Sequence, residues 1–250
     1  MGHHNSHVGI PKTLLNSYSD SHSLYVGDLN RNKIYLSTPD KIGIIKDYYN
    51  DEVEQMLSNN LETGLGSLIK TIKGMKKFSD IANYLNKNHT IIEEFVKIQL
   101  QRSKKSLDSF NENSLTSKVY GELSHSDYLE MVFKVDNINM LSMIGGNLFA
   151  RVCVANEKHC FVTNSLGFYF IPNVETKSIM SIVIPYESKK AIYIERFRED
   201  EKPASHYYVP DSHILYLNKL CYSFDKNVGN GLLISTERSE LEILMSNNKK

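Results

Sequence analysis

The periodicity of the chain changes at Gly145-Gly146, and this change limits the fold more than any other feature. Before it, from Asp51 onward, apolar residues recur at steps of three and four: Val53, Met56, Leu57, Leu61, Leu65, Leu68, Ile69 and Ile72. That spacing places them on one face of a helix. After it, β-branched and aromatic residues dominate, and 148–155, 159–163, 168–171, 178–184 and 191–195 read as strands. Helices gathered in one stretch and strands in another predict an α+β fold rather than alternating βαβ units. The helical middle is placed at about 51–144 and the strand-rich part at about 147–235, within a single α+β domain over residues 1–250.

The ends of the chain fit this plan. Ile10 to Tyr18 reads as a short helix with Pro11 at its first position, where no N–H is lost. Strand-like runs at 21–26 and 33–37 flank the turn-rich Asp28-Leu-Asn30-Arg-Asn32, which predicts a hairpin. A lone hairpin is unstable, so it is expected to join the C-terminal strands in a mixed or antiparallel sheet under the helical layer. Within that layer Gly64 and Gly66 weaken the first long helix and Gly74 ends it. Ser79-Asp80 and Thr90 cap the next two, and Asn111 to Ser114 reads as a flexible connection. Ser124 to Asp127 opens a helix running to about Ile144. Asn156-Glu-Lys158 fits a hairpin loop, Pro210-Asp211 starts a helix to about Tyr222, and 231–235 is a last strand.

Lysine plus arginine balance aspartate plus glutamate, 29 against 29, so total charge neither favours nor disfavours nucleic acid. The odd trio Cys153, Cys160 and Cys221 has no regular spacing and argues against a disulfide framework. Free cysteines in such surroundings behave as small core residues, and a reducing, cytoplasmic setting is the expectation. No apolar run is long enough to span a membrane, and no secretory leader is visible. His3, His4 and His7 could bind a metal or be a polar start.

Several polar residues are candidates for chemistry, each with a plainer alternative. Phe161-Val-Thr-Asn164-Ser165 ends a buried strand in small polar groups, which need partners, so it is either a turn or a site. Glu54 and Glu62 are eight apart, slightly over two helical turns, and share a face. With a third ligand they could hold a divalent cation such as magnesium or manganese; otherwise they are solvated. Gln99 and Arg102 share a face at a spacing of three, and the guanidinium fork suits phosphate; otherwise they form a solvent-facing helix end with Lys97, Lys104 and Lys105. His125 stands at a helix start, where the imidazolium is disfavoured and a neutral ring can act as a base; otherwise its neighbours are helix caps. His206 and His213 read as surface histidines.

No phosphate-binding Gly-x-x-x-x-Gly-Lys run, Gly-x-Ser-x-Gly elbow, Cys-x-x-Cys or His-Glu-x-x-His occurs, which disfavours nucleotide-triphosphate motors, common serine hydrolases and standard zinc sites. The order of landmarks does resemble a bacterial family known as domain of unknown function 4238. Its opening His-Tyr-Val-Pro-Gln resembles His7-Val-Gly-Ile-Pro11-Lys12, although this histidine stands one residue further from the proline. Its helix with two glutamates is similar to that carrying Glu54 and Glu62, and its Gln-x-x-Arg is similar to Gln99 and Arg102. Its histidine-and-methionine helix resembles His125 to Met131, its Thr-Ser-Asp strand end resembles Thr163-Asn164-Ser165 with Ser165 at the aspartate, and its Leu-Asn resembles Leu217-Asn218.

Scattered polar landmarks at element ends are what converging binding groups look like in sequence. The leading expectation is a nuclease-like or phosphoester-directed hydrolase of a bacterial or phage conflict system. His7 or His125 is its base, Glu54 and Glu62 hold the cation, Gln99 and Arg102 grip the phosphate, and Asn164 orients the ligand. The alternative is a non-catalytic protein-binding module, a sensor or inhibitor, using the tyrosine-rich C-terminal half.

Overall fold

The computed structural model describes residues 5–7, 9–19, 23–46, 48–113, 121–134, 147–173, 179–197 and 203–246. His3, His4, Gly145-Gly146 and the expected helical residues beyond Lys134 lie outside them.

The fold is α+β. Strand β1 (Asn5–His7) pairs antiparallel with β4 (Ile44–Lys46), His7 lying opposite Ile44. Between them come α1 (Lys12–Ser19) and the hairpin of β2 (Leu24–Asp28) and β3 (Lys33–Ser37). Asp28 shapes the turn, its carboxylate accepting the amides of Asn30 (3.0 Å) and Arg31 (2.9 Å). The helical middle is α2 (Asp51–Met56), a π-helical turn (Leu57–Glu62), α3 (Thr63–Gly74), α4 (Phe78–Lys87), α5 (His89–Gln101), α6 (Lys104–Glu112) and α7 (His125–Lys134). The interruption of the first helix falls at 57–62, not at the glycines. Gly66 sits inside α3, where an added Cβ would lie 3.3 Å from Thr13 of α1, so its bareness serves helix packing.

Five strands form a mixed sheet in the order β10-β5-β9-β8-β7. They are β5 (Asn147–Ala155), β7 (Tyr169–Pro172), β8 (Ile179–Glu187), β9 (Lys190–Phe197) and β10 (His206–Val209), with β10 parallel to β5 and the other pairs antiparallel. A second, antiparallel sheet runs β3-β2-β11-β6, formed with β6 (Thr163–Asn164) and β11 (Leu232–Ser235). The N-terminal hairpin therefore does join C-terminal strands, but in its own sheet. Helices α8 (Asp211–Asn227) and α9 (Arg238–Ser246) complete the chain.

The buried side chains fall into two clusters. The larger joins Leu14, Leu68, Phe95, Leu129 and Phe168 with Val152 and Ile192 of the five-stranded sheet. The other face of that sheet packs Cys153, Tyr169 and Val183 against Leu217 and Cys221 of α8 and Leu241 of α9. Alternation along β5, Val152 to one side and Cys153 to the other, is what places one sheet between both. The cysteines are free and buried.

The expected hairpin over 148–163 does not form. β5 takes β9 and β10 as neighbours, and the backbone of 159–162 is held mainly by side chains. Asn218 of α8 accepts the Val162 amide (2.9 Å) and donates to the Cys160 carbonyl (2.9 Å). The Tyr18 hydroxyl donates to the Phe161 carbonyl, and the Phe161 amide donates to Ser188 (2.8 Å). A strand-like composition thus went to a segment whose polar backbone is satisfied by other means.

Candidate functional site

Gln99 and Arg102, at the end of α5, are buried, 0% and 2% exposed, and not on a solvent-facing helix end. Gln99 uses its whole amide. Nε2 donates to the carbonyls of Gly9 (3.1 Å) and Leu166 (3.0 Å), and Oε1 accepts from Arg102 Nη1 (2.9 Å). One side chain thereby ties the N-terminal segment and the 164–167 turn to the guanidinium. A buried guanidinium is costly unless polar groups surround it. Tyr49 is a second such group: its ring centroid lies 5.7 Å from Arg102 Cζ. Burial pushes the Tyr49 phenol up, and hydrogen bonding with the Arg102 charge draws it back.

His125 opens α7 beneath a cap in which Ser124 Oγ accepts the Asp127 amide (3.2 Å). It is 6% exposed, with Nδ1 2.6 Å from the hydroxyl of Tyr48 and the Tyr49 ring edge-on at 5.7 Å. Burial lowers its pKa to about 4, the nearby Arg102 charge adds to this, and the Gln101 carbonyl and Asp108 oppose it. Burial and the Arg102 charge thus keep the ring neutral at neutral pH. The tyrosine pair reaches it because Asn50 is clamped to α7: its amide donates to Ser126 Oγ (3.0 Å) and its side chain to Glu130 (2.5 Å). Asn50 also caps α2, accepting the Val53 amide (2.9 Å). Burial pushes the half-buried Tyr48 phenol up to about 12.

Asn164 is fully buried and shapes a turn. Its Oδ1 accepts the amides of Leu166 (2.9 Å) and Gly167 (3.0 Å), and its Nδ2 donates to Phe168 (2.8 Å). Gly167 needs its missing side chain: φ is +79° and a Cβ would meet Leu14 at 2.6 Å. Ser165 donates both its amide (3.0 Å) and its hydroxyl to Asp225 Oδ1, and its Oγ accepts the Asn230 amide (2.7 Å). Although residue 165 is serine, a carboxylate is present, supplied by α8. Burial raises Asp225 to about pH 6, while the Ser165, Gly231 and Leu232 groups draw it down.

Glu54 is half-buried on α2, close enough to act electrostatically on Tyr49. Glu62 is half-buried at the end of the π turn. Among the described residues, no group of three or more His, Cys, Asp and Glu is placed to hold a metal ion. His7 lies on β1, two residues before the Gly9 carbonyl that Gln99 binds. The structure thus gathers Gln99, Arg102 and His125 and links them to the Asn164 turn. Sequence reasoning missed Tyr48, Tyr49 and Asp225. Asn50 before an acidic helix start signals a cap, but nothing local marks the tyrosines before it, and Asp225 is 60 residues from Ser165.

The fold and this centre define an α+β protein with a buried Arg–His–Tyr cluster. The family described as "Protein of unknown function (DUF4238)" matches residues 6–165, and the chain belongs to it. Every member of the cluster lies in the matched stretch, whereas Asp225 lies beyond it. No curated protein and no solved structure matches the chain. Among the described residues no helix is long and apolar enough to cross a membrane.

Proposed function

We propose that the protein is a phosphoester-directed, nuclease-like hydrolase centred on Tyr48, Tyr49, Gln99, Arg102 and His125. The observation that carries this reading is the burial of a guanidinium beside a neutral imidazole, brought together from α5 and α7. Arg102, oriented by Gln99, is the group that stabilises charge developing on phosphate oxygens. His125 accepts a proton, with the Tyr48 hydroxyl at Nδ1 as the half-exposed end of the pair. Glu54, beside Tyr49, is available to a magnesium or manganese ion that substrate phosphates would help to coordinate.

Incubation with labelled RNA and DNA, with and without magnesium or manganese, tests this. Cleavage is expected, with His125→Ala and Arg102→Lys each lowering it by about a hundredfold or more. No cleavage of either polymer, or cleavage that survives both substitutions, overturns it.

A second reading, a protein-binding module, is favoured by the aromatic edge at β10. There Tyr207, Tyr208 (58% exposed) and, on α8, Tyr216 face solvent. Loss of a partner on Tyr208→Ala with no cleavage activity would favour it.

A further inference from the structure

Away from the buried cluster, the ends of several elements surround an open cleft of about 720 Å³. Its walls come from α6, the C-terminal end of α8, the β2–β3 turn and α9. Its floor is the turn Gly229-Asn230-Gly231. Both glycines are required by close approach: a Cβ at 229 would run into the Asp225 carboxylate, and one at 231, where φ is +83°, would lie 2.6 Å from the Asn30 amide. The two glycines let this turn pack tightly against Asp225 and Asn30.

The chemistry of the lining is two-sided. Lys105 and Lys226 supply positive charge on one wall, and Lys105 is steadied by donating to the Lys226 carbonyl. Asp108 supplies an exposed carboxylate, Asn230 an amide and Tyr222 a ring, while Asp225 is wholly buried behind the lining and taken by Ser165. A simple polyanion would meet Asp108 unfavourably. An amino acid would leave most of the space empty, since small-ligand sites run from roughly 300 to 1,000 Å³ for drug-sized molecules. A molecule with a phosphate at one end, hydroxyl and N–H donors along it, and a flat ring satisfies the lysines, Asp108 and the tyrosine together.

We infer that this cleft binds a nucleotide, its phosphate at Lys105 and Lys226 and its sugar or base against Asp108, Asn230 and Tyr222. The binding does not depend on the buried cluster being catalytic. Asn30, Lys105 and Asp108 lie within the family-matched stretch and Tyr222, Lys226 and Asn230 beyond it, so the site is built jointly by both parts of the chain.

Isothermal titration calorimetry of the full chain with AMP, GMP, CMP and UMP tests the inference. At least one is expected to bind with a Kd in the range of about 1–100 μM, and Lys226→Met and Lys105→Gln are each expected to weaken it about tenfold. Both lysines are exposed, so these variants keep the fold. His125 touches no lining residue and is coupled to the cleft through the charge of Asp108, so His125→Ala is expected to change the affinity by less than either lysine substitution, separating this site from the hydrolase reading. Absence of binding by all four up to about 1 mM overturns the inference. So does affinity indifferent to both lysine substitutions, or inorganic phosphate competing as tightly as the nucleotide.

Discussion

Replacing Arg102 by methionine removes a charge whose surroundings are assembled from three distant parts of the chain. Gln99 Oε1 loses its donor, and Tyr49 loses the cation that offsets its burial. Arg102→Met is expected to lower the unfolding free energy by about 3 kcal/mol, and Arg102→Lys by less, measured by urea titration. His125 and Asp225 set opposite dependences on pH. The imidazole pKa falls from 6.5 unfolded to about 4 folded, so its stability is present above 6.5 and is lost as the pH drops towards 4. The Asp225 pKa rises from 3.8 to about 6, so its stability is present below 3.8 and is lost as the pH rises through 6. Between these values they oppose each other. Asp225→Asn should therefore make melting temperature fall more steeply on acidification than in the wild type. His125→Phe should make it fall less steeply or rise. Wild-type profiles from both variants would refute the assignment. The Gln99–Arg102 pair was legible as a shared helix face, but its burial was not. Which face of a lysine-flanked helix end points inward depends on Gly9 and Leu166, whose carbonyls no local pattern connects to it.

At the scale of elements, α8 acts as a polar brace as well as a packing surface. Asn218 holds Val162, Cys160 and the Glu240 carboxylate (3.2 Å), while His159 reaches the same carboxylate at 2.8 Å. Asn218→Ala leaves these groups unmet in the interior and is expected to cost about 3 kcal/mol. It should also open 159–162 and α9 together to hydrogen exchange, because both hang on one side chain. Most helices and strands could be read from their period, but Ser79-Asp80 and Thr90 fall inside α4 and α5 rather than capping them. The helix expected from Thr90 through Leu107 is two, α5 and α6, and α9 forms where a polar, frayed tail is the sequence reading. The 148–163 segment could not be read in this way, because composition marks a segment as fit for a strand without saying that side chains will take the ladder's place. The π-helical turn at 57–62 left no trace either, since its sequence keeps helical spacing.

At the scale of the molecule, the family match ends at residue 165 but the sheets do not. β5 is flanked by β9 and β10, and β2 by β11, all later in the chain. A fragment of residues 6–165 is expected to show no cooperative thermal transition by circular dichroism, whereas the full chain shows one. The helical-then-strand layout was readable because the two periods differ; the division into separate sheets was not, because pairing partners are chosen by tertiary packing.

The pairing of Gly27 with Leu233 has a consequence for how the protein is made. During translation the inner edge of the first hairpin stays without its partner until Leu232 to Ser235 have left the ribosome. Closing so long a loop makes that step slow, and the waiting edge is open to the wrong strand from another nascent chain. Production in the cell should therefore depend on growth temperature and holding chaperones more than the finished protein's stability would suggest.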